Sequence, residues 1–351
     1  KPLEQQSCHM ALLDPESAIF GAQAARWFVI IFRKQPIIDT SSPPRKLKPE
    51  RKSALSFYPG RLAACAPPED LPNRDQRIRG LDSRRAPAKA PAPMRNFGGF
   101  LSRDGLLYGE VREDAVHVLT KPYWLGPEFS GAVIPLAELQ IDLPVAPGKI
   151  IAVGLNYADH IKEMQRTPLG TPLIWFKAPT SLLRHGGAIE IAFPDHKTDF
   201  ETELGIVIGA RAKNVSVEQA LEYVFGYTIA EDISDRDLQK SEKQFSRCKS
   251  FDTYTPVGPF VHAQIDVRDL EITLRQNGEV KQQARTSQMI YSVAEIVSFA
   301  SQSLTLLPGD LILTGTPSGV GPIQDGDELE ARIGDWPPLR NSVVLALPPG
   351  K

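Results

Sequence analysis

The sequence predicts an α+β fold dominated by sheet, with few helices and a small strand-rich domain ahead of the main one. Three observations predict it. Short apolar runs recur from Lys149 onward, at Lys149–Gly154, Glu203–Gly209, Pro256–Val261, Leu270–Leu274 and Asp310–Thr314, each of strand length. Clear 3.6-residue spacing is confined to Val217–Val224 and Val293–Leu304, which predicts helices there. Ahead of both, Phe100–Val111 reads as a strand, a turn at Asp104-Gly105 and a second strand, a hairpin signal.

These elements divide the chain. Residues 94–147 are expected to form the small domain, closed by Leu143-Pro-Val-Ala-Pro147, and residues 148–348 the main one. Residues 1–93 read differently. They hold 13 of the 31 prolines, and segments such as Ser41-Ser-Pro-Pro-Arg-Lys-Leu-Lys-Pro49 cannot sustain a regular backbone. They carry 16 Lys/Arg against 9 Asp/Glu, leaving 24 against 33 for the remainder: a basic head on an acidic body. Two readings are open for the head, a natural disordered basic extension or upstream sequence translated from a start placed too early. The second is preferred, because domain-like sequence opens at Met94.

Composition is ordinary for a globular protein, with 42% hydrophobic and 23% charged residues and a net charge of −2. Nothing draws such a chain toward nucleic acid or membrane. The most apolar stretch, Arg26–Phe32, is far shorter than the roughly 20 residues of a membrane helix. Cys8, Cys65 and Cys248 are too few and scattered for a disulfide framework, so a reducing cytoplasm is expected. No signal peptide is expected, and the sequence shows no internal repeat or nucleotide-binding glycine fingerprint.

The chemistry concentrates in carboxylates. In Asp199-Phe-Glu-Thr-Glu203, Glu201 and Glu203 are two apart and share a face if the segment is extended. Two like charges side by side need a cation or a proton to coexist. Ala230-Glu-Asp-Ile-Ser-Asp-Arg-Asp-Leu-Gln239 adds further acids around one arginine. Paired acids are more often solvated surface, but both clusters abut apolar runs where an unpaired charge is costly. Oxygen ligands without His or Cys suit a hard ion, Mg2+ or Mn2+, with Ca2+ a third choice.

Other candidates flank them. After the strand at Lys149–Gly154, Asn156 can cap a short helix on which His160 and Glu163 lie i, i+3; a carboxylate beside an imidazole orients it and raises its basicity. A surface helix carrying both residues is the bland alternative. Thr167–Pro172 suits a lid. Lys249, ahead of a strand, is either a surface charge or a partner for a developing enolate. The glycine-rich turn Thr314-Gly-Thr-Pro-Ser-Gly319, with its amides and the Thr316 hydroxyl, could hold a carboxylate.

Together Gly154–His160, Thr198–Leu204, Asp232–Gln239, Lys249–Thr253 and Thr314–Pro317 closely resemble the fumarylacetoacetate hydrolase family, in the correct order. Its members include acylpyruvate hydrolases, hydroxy-diene-dioate isomerases, decarboxylases and hydratases. The resemblance implies a mixed β-roll, usually dimeric, with Glu201, Glu203 and Asp232 as metal ligands and His160 with Glu163 as the water-activating pair. It implies further that Lys249 stabilises enolate charge and that Arg236, Gln239 and Thr316 grip the substrate's carboxylate. Cys248 stands where Ala or Gly is common, and Ser234-Asp235 where Ser-Ala is usual; neither departure touches a predicted metal ligand. The expected function is metal-dependent hydrolysis of a C–C bond in a 2,4-dioxo acid of the acylpyruvate or fumarylpyruvate type. The alternatives are isomerisation or decarboxylation of an unsaturated keto-dicarboxylic acid in aromatic catabolism, and a non-catalytic metal-binding scaffold. A small keto acid and a second copy in a homodimer are the expected partners.

Overall fold

The computed structural model describes residues 94–167 and 169–346; the reading of residues 1–93 lies outside them. The architecture is a sheet-dominated α+β fold. A 12-stranded sheet is accompanied by a 5-stranded and a 3-stranded sheet. The four α-helices among the described residues are short: α1 (Ala158–Glu163), α2 (Arg236–Ser241), α3 (Phe245–Cys248) and α4 (Val293–Ser303). None of the described helices is long and apolar enough to cross a membrane.

The central strands Thr202–Ile208, Val224–Glu231 and Thr255–Ala263 pair antiparallel. Their middles read as continuous apolar runs because both faces are covered. Alternation assigns the side chains. Ile151, Val153, Leu204 and Ile206 enter one core, shared with α4 and Trp336, while Ile150, Ala152 and Val207 enter another with Phe97, Tyr123 and Trp124. Residues 94–147 supply aromatic side chains to that second core, and the strand Arg95–Ser102 pairs with Thr255–Ala263, so the hairpin is continuous with the large sheet. The predicted hairpin forms with Ser102 opposite Gly105.

Helix α4 is where the 3.6 spacing placed one. It buries Val293, Ile296, Val297 and Ala300, and a capping box closes its start: Ser292 Oγ accepts from the Glu295 amide while Glu295 Oε2 accepts from that of Ser292 (2.8 Å). Val217–Val224 is a correction. Only a 3-10 turn forms there, at Ala220–Tyr223, and Val224 begins a strand opposite Ile208. Val217 and Leu221 remain exposed and only Ala220 is fully buried, so too little apolar surface is covered to stabilise a helix.

Candidate active site

Sheet register assembles the acids. Pairing of Thr202 with Glu231 sets Asp232 beside Glu201, whose carbonyl accepts from the Asp232 amide at 2.8 Å. Glu201, Glu203 and Asp232 are all buried, and one carboxylate oxygen from each lies within 4.8 Å of the others. Lys249, at the end of α3, donates to Glu201 Oε2 (2.7 Å), Asp232 Oδ2 (2.8 Å) and Ser234 Oγ (2.5 Å). Arg236 donates through Nε to Asp199 (2.8 Å), through Nη2 to Glu201 (2.5 Å) and through Nη1 to Gln239 Oε1 (2.9 Å).

Burial and charge then divide the carboxyls. Burial works against the Glu201 carboxylate, but Lys249 and Arg236 outweigh it and hold Glu201 below the usual range. Glu203 goes the other way: burial, reinforced by Asp232 and Glu201, pushes it well above. Burial also pushes Glu231 up to about 8. The Lys249 ammonium loses by burial and gains more from Asp232 and Glu201, so its pKa is raised. A buried acid pushed upward by neighbouring carboxylates, in a cluster whose acids offer only oxygen donors, is the condition a divalent cation relieves. Glu201, Glu203 and Asp232 therefore fit such an ion, with Asp232 and Glu201 also answering to Lys249.

Helix α1 brings His160 to the same pocket, with Nδ1 at 3.0 Å from Glu163 Oε2. A neutral imidazole bonded to carboxylate in this way carries its proton on Nδ1 and keeps a lone pair on Nε2. Asn156 does not cap this helix. Tyr157 occupies the cap position, and the Asn156 amide instead donates to the Thr314 (2.7 Å) and Tyr291 (3.1 Å) carbonyls while its oxygen accepts from the Tyr291 amide (2.7 Å).

The glycine turn also departs from expectation, since two of its amides serve the protein's own acids. Gly315 N–H donates to Glu203 Oε2 (2.6 Å), and Gly319 N–H donates to Glu163 Oε1 (2.9 Å). Gly315 has φ +93°, and a Cβ there would lie 2.8 Å from that of Asn156, so only glycine serves. The Thr316 hydroxyl donates to the Thr202 carbonyl (2.9 Å) and accepts from Gln282 (2.8 Å), yet still lines the pocket.

The pocket holds about 420 Å3. His160, Glu201, Glu203, Arg236, Gln239, Lys249 and Thr316 all reach its lining; Asp232 and Glu163 stand behind it, each bonded to a residue that does. Leu173, Trp175 and Phe245 form an apolar wall, with Trp175 under the Lys249 ammonium at 5.2 Å. Sequence reasoning missed Lys177, a buried lysine that bonds to Asp232 and to the Tyr254 carbonyl (2.8 Å). Its one signal was a charge ending the apolar run Leu173-Ile-Trp-Phe-Lys177. Asp235, the departure near the arginine, caps α2 by accepting from the Asp237 and Leu238 amides, and also accepts from His196.

Comparisons with known proteins identify the family. The family model described as fumarylacetoacetate (FAA) hydrolase C-terminal matches residues 149–344. Protein Rv2993c of Mycobacterium tuberculosis is 44% identical over 248 residues, 70% of this chain and 93% of that one. The crystal structure of a 2-hydroxyhepta-2,4-diene-1,7-dioate isomerase from Mycobacterium marinum is similar at 38% identity and a TM-score of 0.67, covering 73% of this chain and all 100% of the other. A fumarylpyruvate hydrolase from Pseudomonas aeruginosa, in complex with Mn2+ and pyruvate, is 33% identical with a TM-score of 0.54, over 58% of this chain and 93% of that one. The chain belongs to the fumarylacetoacetate hydrolase family.

Proposed function

We propose that the protein is a metal-dependent hydrolase cleaving a C–C bond in a 2,4-dioxo acid of the acylpyruvate or fumarylpyruvate type. The reading rests on one observation: a carboxylate-oriented histidine lines one pocket with Glu201 and Glu203 of a buried acidic triad. A divalent ion held by Glu201, Glu203 and Asp232, Mg2+ by preference, would supply Lewis acidity toward the substrate's oxo-acid oxygens. His160, oriented by Glu163, takes a proton through Nε2 from water as its oxygen bonds to the distal carbonyl carbon. Breaking the adjacent C–C bond leaves the electron pair in a pyruvate enolate beside the Lys249 ammonium, with Arg236, Gln239 and Thr316 framing the carboxylate end. The enolate carbon recovers a proton, and the tail departs as a carboxylic acid.

The test is an assay of acylpyruvates and fumarylpyruvate with Mg2+, following pyruvate release. His160→Ala is expected to lower kcat by about 10²–10⁴-fold. Unaffected cleavage would remove water activation from His160. A second reading, isomerisation of an unsaturated keto-dicarboxylic acid, is favoured by the similarity to the M. marinum isomerase, which covers the whole of that protein and 73% of this chain. Rearrangement of diene-dioates without pyruvate release would select it. A protein that bound metal but turned over neither substrate class would be the scaffold.

A further inference from the structure

We propose that Gln282, reaching in from the 5-stranded sheet, is a positioning residue for the acidic triad: its side-chain amide fixes Thr202, the one residue between Glu201 and Glu203. The inference rests on the metal-site reading above and adds to it a residue outside the pocket lining.

The first observation is a gap in a ladder. Glu201 stands where the chain leaves the strand Thr198–Phe200 of the 3-stranded sheet and enters Thr202–Ile208 of the 12-stranded one. On one side Thr202–Ile208 pairs with Val224–Glu231 from end to end. On the other, Leu311–Leu313 pairs only with Gly205–Val207, and the Thr314 amide reaches no further than the Leu204 carbonyl (3.1 Å). Backbone groups two residues apart on a strand point the same way, so Thr202, like Leu204, turns its N–H and C=O toward that open side. Side chains close the gap. Thr202 N–H donates to Gln282 Oε1 (2.9 Å), its carbonyl accepts from Thr316 Oγ1 (2.9 Å), and Gln282 Nε2 donates to Thr316 Oγ1 (2.8 Å). The carboxylates on either side are held separately, Glu201 by Arg236 and Lys249 and Glu203 by the Gly315 amide. The ring through Gln282 fixes the backbone that sets one against the other.

The second observation is the kind of residue that stands there. Gln282 is the one buried residue of the edge strand Glu279–Arg285, opposite Leu274, at an inward position that packing alone would fill with an apolar side chain. A buried amide is costly unless its polar atoms are paired. Here the oxygen and both N–H groups are used, the second N–H on the Pro317 carbonyl (2.8 Å). Their orientation is forced, because the Thr202 amide can only donate and the Pro317 carbonyl can only accept. The Thr316 hydroxyl therefore accepts from Gln282 and directs its single proton to Thr202. Gly319, at φ +97°, brings the glycine turn so near that a Cβ would lie 2.1 Å from the Lys281 carbonyl, beside Gln282 on the same strand. One side chain thus ties the 5-stranded sheet to the strand that carries Glu203 and to the glycine turn.

The test is calorimetric titration of the metal-free protein with Mn2+, joined to EPR spectra of the bound ion and thermal melts in chelator. Gln282→Met keeps a side chain of similar length without the amide. It is expected to raise the Mn2+ dissociation constant about tenfold, as loss of an outer partner of a metal site does, and to change the spectrum of bound Mn2+. The control is Asn341→Ala, which removes another buried amide of the same sheet, one bonded to the Arg184 (3.0 Å) and Gly187 (2.9 Å) carbonyls and outside this ring. It should lower the melting temperature in chelator and leave Mn2+ affinity and spectrum unchanged. If Gln282→Met melts too low to titrate, Thr316→Val opens the same ring by one hydroxyl and should weaken Mn2+ binding likewise. An affinity or a spectrum unchanged in the ring variant, or altered equally by Asn341→Ala, would overturn the proposal and leave the metal site standing. Wild type that bound no Mn2+ would overturn the metal-site reading and this proposal with it.

Discussion

Asn156 joins three segments with one amide, holding Thr314 and Tyr291 in place beside the glycine turn. Asn156→Ala leaves buried backbone groups without partners and is expected to cost about 2–3 kcal/mol, seen as a lower urea midpoint at unchanged slope. A second residue, His262, governs acid stability. It is fully buried, its Nδ1 lies 2.8 Å from Asn96 Oδ1, its ring stacks on Trp336, and its Nε2 has no partner. Burial pulls its pKa down to about 3. The unfolded chain therefore gains a proton below pH 6.5 that the folded chain refuses down to about pH 3. His262 contributes stability above pH 6.5 that is lost as pH falls through that window, by roughly 1 kcal/mol per pH unit. His262→Gln should flatten the fall in urea midpoint between pH 7 and pH 4.5; an equally steep fall would refute the account. Neither role was legible in the sequence. Asn156 was read as a cap because asparagine before a short helix commonly is one, and its real partners lie more than a hundred residues away.

Among the elements, α1 and the glycine turn act together, because Glu163 receives the Gly319 amide on one oxygen and faces His160 with the other. Glu163→Gln keeps an acceptor for Gly319 but presents an N–H to His160 Nδ1. That reverses the tautomer and takes the lone pair from Nε2. The expected result is a fall in kcat of about 10²–10⁴-fold with little change in KM, since the base is lost and the binding groups remain. A loss confined to KM would show that Glu163 only shapes the pocket. The central strands were legible because burial on both faces writes an unbroken apolar run, as in Leu204–Ile208. The helix expected at Val217–Val224 was not, because its spacing matched a helix while the ladder opposite Ile208 claimed Val224. Periodicity states which residues could share a face, and only tertiary packing decides whether that face is covered.

On the scale of the molecule, site residues from 160 to 316 converge, and their order along the chain made the family resemblance legible. Lys177 was not, since its role exists only once the ladders bring it to Asp232. That convergence makes stability and metal binding one problem, with opposite outcomes for neighbouring acids. Without a cation, burial with Asp232 and Glu201 beside it pushes Glu203 well above the usual carboxylate range, so Glu203→Gln removes a charge the site disfavours and should shift the metal-free melting temperature little. Glu201 is ionised and answers to Lys249 and Arg236. Glu201→Gln leaves two buried cations short of charge, and should cost about 3–5 kcal/mol in the metal-free protein. With Mn2+ at a hundred times its dissociation constant, wild type gains about 2.7 kcal/mol, or roughly 5–10 °C in a domain of this size. Both variants should lose that gain. Thermal melts with and without chelator separate the cases, and a Glu203→Gln protein that still rose on adding Mn2+ would remove Glu203 from the ligand set.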